Sequence, residues 1–143
     1  MAGEIVLCYD GEPGSRATLQ TAVAIAAAFK RPLVVAFGYA PPPIGGEVAD
    51  LSKAIEDLGE TITGEAVRIA HEADASVAVQ VELVNDRPAD AILRAADQYD
   101  ALAIVVGATG RGPMAGALLG SVTYQVVHRA TKPVVVVPSP QEP

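Results

Sequence analysis

Five glycines fall within fourteen positions, at Gly107, Gly110, Gly112, Gly116 and Gly120, and Ser121 follows directly. Glycine tolerates positive φ and carries no Cβ, so a glycine-rich backbone can bring its N–H groups close to an anion. If a helix begins just after such a loop, its first amides have no intrahelical partner and carry the positive end of the helix dipole. Placed after a buried strand, that combination is a phosphate site. Ser121 can cap the helix or offer its hydroxyl to a phosphate, and Thr123 supplies a second hydroxyl nearby. The same composition also suits a tight turn with no ligand. One helix terminus contributes only ~0.3–1 kcal/mol at an exposed site, so a phosphate requires several converging donors. The loop has no Gly-Lys-Ser/Thr triplet, and no GxGxxG follows the first strand, which excludes a P-loop and a dinucleotide fingerprint.

The remaining reactive side chains are scattered. Asp10 ends the first apolar run, within DGEPGS, where it can close an Asx turn, cap a helix or face a ligand. Cys8 lies inside the apolar run IVLCY and reads as a buried, inert thiol; a single cysteine forms no internal disulfide. His71 and His128 fall in separate helical segments, outside any metal-ligand spacing, and read as ordinary helix residues. Ser15 and Ser121 lack a nearby base, and no nucleophile elbow occurs, so no catalytic residue is assigned. Any turnover of a bound ligand is expected to be slow and incidental. Arg87 either reaches toward phosphate or lies in solvent.

A net charge of −7 opposes general nucleic-acid binding and adhesion to an anionic membrane. An anionic ligand must therefore be held by a local device. No apolar run reaches the ~18–20 residues of a membrane span, and the first residues lack a signal-peptide pattern. The expectation is a cytoplasmic protein, one domain over residues 1–143.

The elements that must position the loop follow from apolar periodicity. Ile5 to Tyr9, Leu33 to Tyr39, Ala101 to Gly107 and Val134 to Val137 are near-continuous apolar runs, as in parallel strands covered on both faces. Val77 to Val84 includes Gln80 and Glu82 and reads as an edge strand. Helices are predicted over Ser15 to Phe29, Glu47 to Ala73, Pro88 to Gln98 and Ser121 to Ala130. In the second, Leu51, Ile55, Leu58, Ile62, Val67 and Ile69 make the apolar stripe, and Gly59 and Gly64 are candidate bends or breaks. The alternation predicts a three-layer doubly wound α/β domain with helices on both faces. For its five parallel strands the commonest order is 3-2-1-4-5. The closing run PVVVVP is an apolar strand that would invite aggregation if left as an open edge. Pairing with a second copy through residues 133–137 solves that problem and gives a two-fold dimer.

The spacing G-x2-G-x9-G-S, complete here as Gly107, Gly110, Gly120 and Ser121, resembles the nucleotide loop of the ATP-binding branch of the universal stress protein family. AIVVG before it, LLGSVTYQVVHRATKPVVVVP after it and IVLCYDGEPGSRATL at the start are similar to that family too. The likeness spans essentially the whole chain, least clearly over residues 40–76. It implies that Asp10 faces the adenine edge or ribose, and that backbone near Gly38 contacts adenine. Gly107, Gly110 and Arg111 would then lie along the phosphates, with Gly120, Ser121, Val122 and Thr123 closing around them. It further implies ATP as ligand, with magnesium or manganese carried on the nucleotide, a homodimer, and an unidentified protein partner in a stress response. Two departures stand out. Asn85-Asp86-Arg87-Pro88 replaces the usual turn after the third strand, and Arg111 is the only basic residue in the nine-residue spacer. Phosphate affinity would then rest on backbone donors and a divalent ion.

Overall fold

A computed structural model describes residues 3–12, 14–39, 48–108 and 119–138, with the side chains of 48–52 left aside. They form β1 (Ile5–Cys8), α1 (Ser15–Phe29), β2 (Leu33–Gly38), α2 (Val48–Ala73) and β3 (Val79–Val84), then α3 (Pro88–Gln98), β4 (Ala103–Gly107), α4 (Ser121–Arg129) and β5 (Val134–Val137). The strands make one sheet in the order β3-β2-β1-β4-β5. Every pairing is parallel, with Ile5 opposite Leu33 on one side and Ala103 on the other. The expected order and alternation therefore hold, and observed boundaries differ from those expected by two residues at most.

Helices cover both faces. Leu7, Leu19, Val35, Ile69 and Val105 belong to the core beneath α1 and α2, whereas Val6, Val34, Ile92, Ile104 and Val126 belong to the core beneath α3 and α4. Alternate residues of one strand thus feed two cores, which is why β1, β2 and β4 read as unbroken apolar runs. The outer strand β3 leaves Gln80 and Val81 exposed, as an edge strand should.

Two helices end or continue for identifiable reasons. α1 stops at Lys30, which takes the left-handed conformation (φ 55°) and donates its N–H to the carbonyls of Ala26 and Ala27. α2 runs unbroken through both glycines, contrary to the bend or break expected there. Gly59 admits the Phe37 ring of β2: a Cβ there would lie 2.9 Å from Phe37 Cδ1. Gly64 faces open space. The buried seam of α2 is consequently built from Gly59, Thr63, Ala66 and Ala70, with Ile69 beside them. Leu58, expected on the core stripe, is instead 56% exposed. Small residues let the helix sit close to the sheet, and that rotates the larger side chains to its flanks.

Candidate functional site

The chain reverses its winding at β1: it proceeds through α1 to β2 on one side and, after α3, arrives at β4 on the other. Ligands of doubly wound sheets lie at the carboxyl ends of strands at such a switch point. A cleft of about 640 Å³ opens there, within the size range of small-molecule sites. Its floor comes from Cys8 at the end of β1 with Tyr9 and Asp10 after it, Ala36 to Gly38 of β2, and Val106 and Gly107 of β4. The starts of three helices border it, through Gly14 and Ser15, Pro88, and Gly120 to Thr123.

The start of α4 is the most exposed to a ligand. Gly120 occupies the cap position in extended backbone (φ −62°, ψ 156°) and provides no side-chain cap, and no acidic residue lies in the first turn. The Gly120 N–H is bonded to the Ala108 carbonyl at 3.0 Å, and the next helix amide in use is that of Tyr124, on the Gly120 carbonyl at 2.8 Å. Among the described residues, nothing accepts from the N–H groups of Ser121, Val122 and Thr123. Those amides and the dipole end they carry open on the cleft, a local device of the kind a chain of charge −7 requires. The position is held firmly, because Thr123 Oγ1 donates to the Gly107 carbonyl at 2.5 Å and so clamps the first turn of α4 to the end of β4. Thr123 is 5% exposed, and its hydroxyl proton is committed to that bond.

Ser121 does not cap the helix; it stands at the first helical position, exposed, with Gln125 Nε2 donating to its Oγ at 3.5 Å. Asp10 closes the Asx turn that its sequence context allowed, accepting the Glu12 N–H on Oδ1 at 2.9 Å, and Gly11 completes the turn with φ 77°. That turn stacks on α2, since a Cβ on Gly11 would lie 3.1 Å from Ile62 Cγ2. Gly38 has a packing reason of its own. A Cβ there would meet Pro88 Cα and the Ala91 methyl, each at 2.8 Å, so its hydrogen lets α3 seat against the end of β2. Burial, and secondarily the charge of Asp10, push the Cys8 thiol up to about 12, in keeping with an inert group. Burial likewise raises the Tyr9 phenol.

One cleft therefore collects Asp10, Gly38, Gly107, Gly120, Ser121, Val122 and Thr123. Gly110 and Arg111 lie outside the described residues. His71 and His128 are exposed helix residues away from the cleft, the latter stacked on Tyr124 with ring centroids 4.1 Å apart. Arg87 is exposed at the cap position of α3. Sequence reasoning passed over Cys8, Tyr9, Phe37, Pro88 and Val106 as cleft residues, although their signal was available: each sits where a strand ends or a helix begins. Leu58 and Ile62 of α2 also line the cleft, and no local motif marks them.

Fold and cleft together define a doubly wound α/β domain with an anion-receptive helix start at its switch point. The family model described as the universal stress protein family matches residues 1–138, and the chain belongs to that family. It is 32% identical over 142 residues to a universal stress protein of Mycobacterium tuberculosis, covering 93% of this chain and 94% of that one. Other mycobacterial members are longer: a 39% identical match over 87 residues takes in 59% of this chain but only 29% of the relative. Among solved structures, a universal stress protein in complex with cAMP superimposes with a TM-score of 0.75 at 29% identity, covering 98% of this chain and 100% of that one. The universal stress protein from Archaeoglobus fulgidus in complex with dAMP gives 0.70 at 25% identity, covering 94% and 97%.

Proposed function

We propose that this chain, as one unit over residues 1–143, binds an adenine nucleotide in the cleft at the carboxyl ends of β1, β2 and β4, with ATP preferred. The observation that carries the reading is the set of amides at Ser121, Val122 and Thr123, uncapped by any described residue and opening on that cleft. The phosphates lie against this helix start and the glycine segment 107–120, including Gly110 and Arg111. Asp10 faces the ribose or the base edge, and magnesium or manganese travels with the phosphates. Family members that hold cAMP and dAMP support an adenine nucleotide. The length of the glycine segment supports a polyphosphate. The role is binding and signalling in a stress response, with phosphate release slow at most. A nucleotide acts as a signal only as far as it binds one conformational state of the protein better than another.

The β5 edge, where Val136 is 36% exposed, together with the exposed Tyr124 and Val127 of α4, supports pairing with a second copy through residues 133–137. Among the described residues no helix is long and apolar enough to cross a membrane. With the net charge, that supports a cytoplasmic setting, with a protein partner reading the loop.

Titration calorimetry with ATP, AMP and cAMP, each with and without magnesium, tests the ligand. ATP with magnesium is expected to bind tightest. Equal or tighter binding of cAMP would replace ATP with the cyclic nucleotide, a second reading that the cAMP-bound relative favours. Absence of binding by all three, together with no nucleotide released from gently purified protein on heating, would leave a nucleotide-free docking protein.

A further inference from the structure

The cleft is chemically divided. Its donors cluster at the start of α4, whereas the side reached by α2 is apolar, formed by Leu58 and Ile62, and Phe37 of β2 also lines the cleft. Two close contacts fix α2 there: Gly59 on the Phe37 ring and Ile62 on the Asp10 turn, where added methyls would stand 2.9 and 3.1 Å away. Leu58 precedes the Gly59 anchor on the same helix and lines the cleft, yet the residue is 56% exposed. A lone exposed leucine on a surface requires no explanation. This one overhangs a concave site, next to an immobilised backbone, on a helix whose packing seam was narrowed to small residues. With no Trp in the chain and aromatic residues at 4%, aliphatic side chains are the main apolar cover available for a planar ring.

From this we infer that Leu58 and Ile62 form the platform that covers the heterocyclic base of the bound nucleotide. The inference rests on the nucleotide reading above and assigns α2 a share of it: the α4 amides hold the phosphates, and α2 selects ligands that carry a flat apolar ring. The contact is made by area and shape and forms no hydrogen bonds, so it favours a base over none more strongly than one purine over another.

Two substitutions at the exposed position test this while leaving the core intact. Leu58→Ala is expected to weaken ATP about five- to tenfold, as removal of roughly half a leucine's burial implies, with inorganic tripolyphosphate within about twofold of wild type. Leu58→Trp introduces the only tryptophan of the chain. Its fluorescence should be quenched on saturation with ATP or adenosine and unchanged by tripolyphosphate. Unaltered ATP affinity in Leu58→Ala, equal weakening of ATP and tripolyphosphate, or an indole signal in Leu58→Trp that is blind to ATP would each overturn the platform and leave the phosphate site standing. A wild-type protein that binds neither ATP nor tripolyphosphate removes the nucleotide reading itself. Thermal melts of both variants within a few degrees of wild type would show that the fold is unchanged.

Discussion

α3 and α4 begin side by side on the same rim of the sheet, and both starts border the cleft, but their first turns are chemically opposite. α3 opens with Pro88, which has no N–H to offer, and carries Asp90 in its first turn, itself paired with Arg129 at 2.7 Å. Its positive end is thus answered from within. α4 opens with Ser121-Val122-Thr123 after a glycine cap, without an acid, and no described residue accepts from those amides. A helix start becomes receptive to an anion only when its own sequence declines to satisfy it. The start of α1 falls between the two, because the Ser15 N–H and Oγ both donate to the Glu12 carbonyl, at 2.9 and 2.6 Å.

The sharpest way to break this contrast is to give α4 the chemistry of α3. Ser121→Asp places a fixed carboxylate where the phosphates would lie. Like charges a few ångströms apart at a partly exposed site repel by several kcal/mol, so ATP affinity should fall by about 100-fold or more. Stability should hold or rise by ~0.3–1 kcal/mol, since an acid suits a helix start. Calorimetry and urea unfolding on the same preparation separate the two effects. Retained ATP affinity in a folded variant would remove α4 from the site.

Next in size is the seating of α3 itself. Gly38→Ala drives a methyl against the Pro88 backbone, which cannot step aside as a side-chain tip can. A loss of ~1–3 kcal/mol is expected, read as a lower urea midpoint. A neutral result would mean that α3 can shift as a body, and that its start is less fixed than that of α4.

The sheet order was legible in the sequence because it depends on apolar runs, and so was the place of Gly107 and Gly120, at the end of β4 and the start of α4. So was the ambiguity of Asp10, which closes a turn while facing the cleft. The seam of α2 was not legible. Periodicity weighted the large side chains and assigned Leu58 to the core, whereas close helix-on-sheet contact required Gly59, Thr63 and Ala66 there. Nor could spacing tell that Thr123 would bond the Gly107 carbonyl, a contact across sixteen residues. The open surroundings of Gly64 and the tight fit of Gly59 are likewise set by what lies opposite each.

Cys8 lies on the cleft floor, bordered by the same two helix starts. A positive helix end lowers a thiol pKa, yet burial, with the charge of Asp10, raises this one from 9.0 to about 12. The folded state therefore keeps the proton that the unfolded chain releases first. The stabilisation is complete below about pH 9 and is lost as pH rises toward 12. Tyr99, raised to about 12 by its hydrogen bond to Glu82 and by burial, adds to the same alkaline decline. Urea midpoints should fall between pH 9 and 11, less steeply in Cys8→Ala. Identical slopes in the two proteins would show that the α4 dipole reaches the thiol after all.

The smallest effect tests whether charge alone keeps the start of α3 closed. Asp90→Asn removes the acid from its first turn and leaves Arg129 without its partner, in a pair whose side chains are 35% and 49% exposed. Exposed pairs and helix-end charges each contribute well under ~1 kcal/mol in most settings, so the urea midpoint should drop only slightly. No second nucleotide site should appear in calorimetry, because Pro88 still withholds the first amide of the helix. A second equivalent of ATP bound by Asp90→Asn would mean that the charge, and not the missing N–H, had distinguished α3 from α4.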